Sequence, residues 1–205
     1  MNRASKRFLL TLAAIFVLVV PLIVYAGCKT SRAGYESADY TTTTRDGPFE
    51  IREYPELALV SAPMKNSDRD GMNSGFNQLF RYITGNNQSD TKIAMTTPVF
   101  IERSTQNPSM SFVLPGDIKA PDAPEPNNAA VAVTTKKAGT FATCRFAGSR
   151  NSKTEQDATD KLKTWIAHQG LTTIGEPEFA YYDPPWTPTF LRRNEVLMRL
   201  ATPLR

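Results

Sequence analysis

The sequence predicts an α+β domain built from two copies of one ββαββ unit. Three observations lead there. Two stretches repeat apolar residues at helical spacing, strand-like runs flank each of them in the same order, and a proline-rich segment divides the halves.

In the first unit, residues 49–64 read as two strands parted by a turn at Tyr54-Pro55-Glu56. A helix follows over residues 69–84. Its Met72, Phe76, Leu79, Phe80 and Ile83 fall on one face, and Gly85 stands where a helix ends in a left-handed residue. Strands over 97–102 and 110–114 complete the unit. The linker is 119–128, with Pro121, Pro124 and Pro126. The second unit repeats the order: a strand over 129–135, a turn near Ala138-Gly139, and a strand over 140–147 in which Ala142, Cys144 and Phe146 point one way. Its helix is 155–169, entered by a capping box of Thr154 with Asp157, striped by Ala158, Leu162, Trp165 and Ile166, and ended by Gly170. Strands over 178–182 and 195–200 close the chain. Each helix is apolar on one side only, so each packs on a sheet.

Between the last two strands runs Tyr182-Asp183-Pro184-Pro185-Trp186-Thr187-Pro188. Two adjacent prolines fix φ and remove backbone donors, so this is a stiff loop and not a strand interior. With Tyr181, Tyr182 and Trp186 it reads either as a wall for a flat apolar ligand or as a structural corner packed on the core.

The N-terminus is different in kind. Arg3, Lys6 and Arg7 precede a nearly unbroken apolar run over residues 8–24, the pattern of a signal peptide or signal anchor over residues 1–28. Val24-Tyr25-Ala26 reads as a cleavage site. Tyr25-Ala26-Gly27-Cys28 reads as a lipobox that would leave Cys28 lipidated, although Tyr25 stands where leucine is usual. Retention as an uncleaved helix is the third reading. All three put the domain outside the cytoplasm, in the cell envelope on the periplasmic side of a membrane. Residues 29–39 are small and polar and read as a tether to a domain over 40–205.

The formal net charge is +4, but residues 1–27 carry three cations and no anion, which leaves +1 for the rest. Such a body has no electrostatic footprint for nucleic acid. The two cysteines, Cys28 and Cys144, lie in neither a CxxC nor a CxxCH pattern, which removes support for covalent heme attachment or a zinc knuckle. Cys144, in a strand, reads as a buried, inert thiol. The sequence offers no Ser-His-Asp set, no Gly-rich phosphate loop and no carboxylate–histidine cluster, so binding rather than catalysis is the expectation.

Several segments, in order, resemble the SOUL heme-binding family: Asp46-Gly47-Pro48-Phe49-Glu50-Ile51-Arg52, Lys92-Ile93-Ala94-Met95-Thr96-Thr97-Pro98-Val99, Met110-Ser111-Phe112-Val113-Leu114-Pro115, Pro124-Glu125-Pro126-Asn127, and the Tyr182–Pro188 loop with Arg192-Arg193-Asn194-Glu195-Val196. The resemblance covers roughly residues 40–200 and implies a distorted β-barrel with pseudo-twofold symmetry and two flanking helices. It also implies non-covalent heme or porphyrin in an apolar cleft beside the first helix, which makes Met72, Phe76 and Phe80 candidates. Arg81 matches a basic position implicated in meeting a propionate, and Tyr182 a tyrosine implicated in contacting the ligand. Trp186 stands in the same loop. An arginine suits a carboxylate because its bond is bidentate and charge-assisted.

His168 is the single histidine and the obvious iron ligand by residue type, yet it falls about 100° from the Leu162 stripe, on the flank of its helix. Met95 offers a thioether but reads as a core cap. Arg192 and Arg193 point to opposite faces if both are in a strand, so at most one serves any one cleft. The leading expectation is an exported, membrane-tethered tetrapyrrole-binding protein. The alternatives are a binding module for other amphiphiles, a heme-modifying or hydrolytic enzyme, and a protein-interaction module.

Overall fold

The computed structural model describes residues 34–65, 69–104 and 107–201. The expected signal or anchor segment, Cys28 and the start of the tether lie outside the described residues. In chain order the elements are β1 (Glu36–Ser37), β2 (Thr41–Asp46), β3 (Phe49–Tyr54), β4 (Leu57–Pro63), α1 (Arg69–Ile83), β5 (Thr96–Thr97), β6 (Val99–Glu102), β7 (Ser109–Val113), β8 (Ala132–Lys136), β9 (Gly139–Phe146), α2 (Ser152–His168), β10 (Thr173–Tyr181) and β11 (Asn194–Leu200). The two ββαββ units are β3-β4-α1-β6-β7 and β8-β9-α2-β10-β11. β1 falls within the stretch read as tether and pairs in parallel with β5, Ser37 opposite Thr97.

Nine strands form one antiparallel sheet in the order β2-β3-β9-β11-β10-β6-β7-β4-β8. Without β2 this order is a palindrome: exchanging β3 with β8, β4 with β9, β6 with β10 and β7 with β11 reverses it. The twofold relation passes between β6 and β10, where Phe179 faces Ile101. Each half also gives its first strand away. β3 pairs with β9 of the second half, Phe49 opposite Cys144, and β8 pairs with β4 of the first, Val60 opposite Val133.

The expected barrel is not closed: β2 and β8 end the sheet without pairing to each other. Both are largely exposed and made of threonine and charged or small residues, Thr41-Thr42-Thr43-Thr44-Arg45-Asp46 and Ala132-Val133-Thr134-Thr135-Lys136. Solvated edges of this composition resist further strand addition.

One face of the sheet carries both helices over a core that includes Ile51, Val60, Leu79, Phe112, Cys144, Leu162, Trp165 and Val196. Cys144 is buried there, and burial pushes its thiol up to about 11, as an inert core residue requires. The other face holds a smaller cluster of Tyr54, Leu57, Leu59, Phe100, Phe141, Tyr182 and Leu197, joined by Ala38 and Tyr40 from the entering chain. Alternation along β11 sends Val196 and Met198 to the first and Leu197 to the second.

The stripe of α2 is as expected, with Ala158, Leu162, Trp165 and Ile166 buried. Its cap is not. Asn151, in extended conformation, accepts from the Thr154 backbone N–H at 3.0 Å, while the Thr154 hydroxyl donates to the Ser149 carbonyl. Asn151 offers an acceptor one turn earlier, which lengthens the helix to Ser152. In α1 the expected Leu79 and Ile83 are buried, but Tyr82 completes the ridge, and Phe76 and Phe80 of the expected stripe stay exposed. Gly75 lets that ridge approach: a Cβ there would lie 3.1 Å from Met64 Cγ. Gly85 ends α1 at φ +113°, as its position predicted.

Trp165 locks α2 to the sheet. Its ring stacks on Phe49 at 5.2 Å, and its indole N–H donates to Asp46 at 2.8 Å. Trp165→Ala is expected to cost about 3–5 kcal/mol in equilibrium urea unfolding, and a loss below about 1 kcal/mol would contradict this packing.

Candidate functional site

The residues singled out in the sequence fall in several separate places. The first is the flank of α1. Phe76 and Phe80, one turn apart, stack at 5.7 Å with ring planes 14° apart, and Phe76 meets Phe112 edge-on. They remain 38 % and 46 % exposed although they are large and apolar. Met72 lies one turn earlier, half-buried against the core. Phe76 leans on Phe112, yet both rings of the stacked pair keep much of their apolar surface open on the helix flank, which makes the flank a candidate interaction surface.

Arg81 sits across the crest of α1 from this pair. It lines a pocket of about 160 Å³ with Gln78, Tyr82, Asn86, Asn128 and Val131. The walls are fixed by polar bonds between helix and linker: Tyr82 donates to the Pro124 carbonyl at 2.7 Å, Asn128 to Gln78 and Asn127 to Asn86, each at 3.2 Å. The linker read from its prolines is thus one side of the pocket.

Between the helices, Arg103 just beyond β6 reaches Glu155 of α2 at 2.6 Å and lies 3.9 Å from the Met72 sulfur. Tyr181 also donates to Glu155. Burial, then the Glu155 charge and hydrogen bond, push the Tyr181 phenol far up, so it stays a neutral donor. Neither Arg103 nor Glu155 stood out in the sequence, because their pairing spans two units.

Tyr182 is sealed on the opposite face of the sheet. Its hydroxyl donates to Glu195 at 3.0 Å, and burial followed by that negative charge hold its pKa well above the ordinary value. Arg52 grips the same carboxylate with two bonds, at 2.6 and 3.0 Å, and Arg193 adds a third at 2.8 Å. Burial alone would push Glu195 up. The Arg52 hydrogen bonds and charge, then Arg193, overcome it and hold the carboxyl below 4.5. Arg193 also donates to the Tyr40 hydroxyl at 2.9 Å. Tyr182 and Arg193 are therefore structural partners in a closed network, and the phenol is turned away from solvent.

Trp186 is 67 % exposed on its loop. The loop is braced rather than packed: Arg192 donates to the carbonyls of Thr187 at 2.7 Å and Pro185 at 2.5 Å. His168, at the end of α2, lines a separate open groove of about 410 Å³ with Phe49, Asp160, Lys161, Thr164 and Trp165. Met95 is half-buried against the core, as expected of a cap. Among the described residues no cluster of three or more His, Cys, Asp or Glu is placed to hold a metal ion.

The fold and this surface define an α+β domain of two strand-exchanged halves with an open aromatic flank on its first helix. The chain belongs to the SOUL heme-binding protein family, whose sequence model matches residues 35–199. It is 28 % identical over 161 residues to heme-binding protein 1 of Xenopus tropicalis, covering 74 % of this chain and 84 % of that protein. It is 28 % identical over 160 residues to heme-binding protein 2 of Mus musculus, covering 73 % and 77 %. Two solved structures share the fold. They are the EcmrR C-terminal domain (TM-score 0.57, 16 % identity, 80 % of this chain and 99 % of that one) and an uncharacterized conserved protein from Listeria innocua (TM-score 0.57, 10 % identity, 75 % and 92 %).

Arg52→Met strands a charge from the Glu195 network and is expected to cost about 3–5 kcal/mol in chemical denaturation. The pH dependence has a definite sign. A carboxyl held below 4.5 in the fold contributes stability that is complete above 4.5 and is lost as pH falls through the folded value. Unfolding midpoints of the wild type should therefore fall more steeply on acidification than those of Glu195→Gln, and equal slopes would refute the assignment.

Proposed function

We propose that this chain is an exported, membrane-tethered binding protein for heme or a related tetrapyrrole, held without a covalent bond. The observation that carries the reading is the exposed Phe76–Phe80 stack in a chain of a heme-binding family. The residues fit a porphyrin in part. The two rings and Met72 offer an apolar surface for a flat macrocycle, and Arg81 offers a guanidinium for a carboxylate. The 160 Å³ pocket is too small for a whole ring, so the macrocycle lies along the open flank with only its edge near Arg81. Bound heme would supply a redox-active iron; the chain's own residues exclude water from one ring face and orient the carboxylates. Such binding discriminates weakly between heme and metal-free porphyrin, so other flat amphiphiles are competitors.

A second reading rests on the α2 groove, which is the roomier of the two and carries a cation in Lys161 and an imidazole in His168. Hemin titration by absorption separates them. On the α1 reading, Phe76→Ser with Phe80→Ser should weaken binding by more than tenfold and Arg81→Ala by about tenfold. His168→Ala should leave the Soret band and affinity unchanged, and Tyr182→Phe should alter stability rather than binding. Loss of the Soret shift in His168→Ala alone, with the fold intact, would move the site to α2.

Export rests on Arg3, Lys6 and Arg7 ahead of the apolar run. A reporter fused after Arg205 that works only outside the cytoplasm should be active. If Cys28 is lipidated, Cys28→Ala should release or misprocess the protein, whereas retention of an uncleaved helix predicts little change.

A further inference from the structure

The loop that follows β10 ends in three large apolar side chains held in solvent. Trp186, Phe190 and Leu191 are 67 %, 76 % and 56 % exposed. Their exposure is built in. The Arg192 guanidinium clamps two loop carbonyls, Asp183 accepts from the Arg193 N–H at 2.6 Å, and Gly148 donates to the Thr189 carbonyl at 3.0 Å. These bonds hold the loop backbone that carries the three side chains in place.

Where the tip sits gives its occupant. The chain enters the domain at the same end of the sheet. Ser37 lies opposite Thr97, Val99 opposite Tyr181, and Tyr181 opposite Asn194, so the entry point and both ends of the loop share one edge. The Arg193–Tyr40 hydrogen bond joins them directly. Only residues 29–35 separate Cys28 from β1, a length that spans at most about 25 Å fully extended. If the N-terminus is held at a bilayer as proposed, this end of the sheet is the one the tether keeps within reach of it. The chemistry agrees. Trp favours the lipid–water interface, and Phe and Leu the apolar side of an interfacial segment. Arg145 and Lys153 are exposed cations on the stretch that Gly148 joins to the loop, while Arg150, Arg192 and Arg193 are engaged within the domain and Asp183 lies in the loop itself.

We infer that the 183–193 loop is a membrane-docking tip, which seats its aromatic side chains in the headgroup layer of an anionic bilayer and fixes the orientation of the domain. The inference rests on the proposed membrane tether.

The test uses the full chain reconstituted in vesicles of equimolar phosphatidylethanolamine and phosphatidylglycerol, with lipid brominated on the acyl chain near the headgroup. The chain has two tryptophans, and Trp165 is buried under α2. Brominated lipid should quench wild-type emission by about half and leave Trp186→Phe almost unquenched, as an interfacial Trp beside a buried one requires. Phe190→Ser with Leu191→Ser should reduce the wild-type quenching while the chain still floats with the vesicles. Flotation with Trp186 quenched only by aqueous iodide would overturn the docking tip and leave the tether standing. Failure to float would overturn both. Displacement of the lipid quenching by added hemin would reassign the loop as a ligand wall.

Discussion

The ion pair of Arg52 with Glu195 is the constraint around which the sheet is arranged. The two residues lie on β3 and β11, with β9 between them, and come from the two ends of the domain. Both are almost wholly withdrawn from water. A buried carboxylate is tolerable only when its oxygens are fully engaged, and Glu195 accepts from Arg52, Arg193 and Tyr182. That requirement sets the register of β3 on β9 and of β9 on β11. A one-residue slip in either pairing would turn Arg52 or Glu195 to the helix-bearing face. It also explains why the tyrosine that opens the proline loop is inside: its hydroxyl completes the set.

Those groups occupy the face away from the helices, and the proposed ligand surface lies on the helical side. There the two halves meet over β6 and β10, and Arg103 with Glu155 ties the first half to the start of α2. The open aromatic flank of α1 lies beyond this tie, on a helix whose ridge of Leu79, Tyr82 and Ile83 is fixed in the core. A rigid helix with a firm buried ridge can display apolar side chains without collapsing around them.

Most elements were legible because each has a strong local signal. The strands alternate or are bounded by turns, the α2 stripe is regular, and Gly85 and Gly170 mark helix ends. Two kinds of feature were not. Position on the α1 wheel separates Phe76 from Leu79 only modestly, so the pattern grouped them although one is open and the other buried. Gly75 carried the missing signal, since a glycine in mid-helix points to the side of closest approach. Pairings across the halves had no local trace at all. Nothing near Arg52 announces Glu195, and a tyrosine beside a Pro-Pro turn reads equally as an exposed wall or a buried corner. The barrel expected from family resemblance failed at its seam for a reason visible in composition, the threonine-rich and charged edges of β2 and β8.

The exchange of first strands between halves has a consequence for how the molecule is made. β3 cannot be paired on its inner side until β9 has been synthesised, and β4 waits for β8. A nascent chain that ends at the proline linker therefore exposes incomplete sheet edges on both sides of a core, a state open to pairing with any neighbour. Its order-defining contacts are long in sequence, which delays closure of the native topology. A chain exported as proposed would gain from that delay, and any such chain depends on being kept apart from its own copies until the last strand arrives.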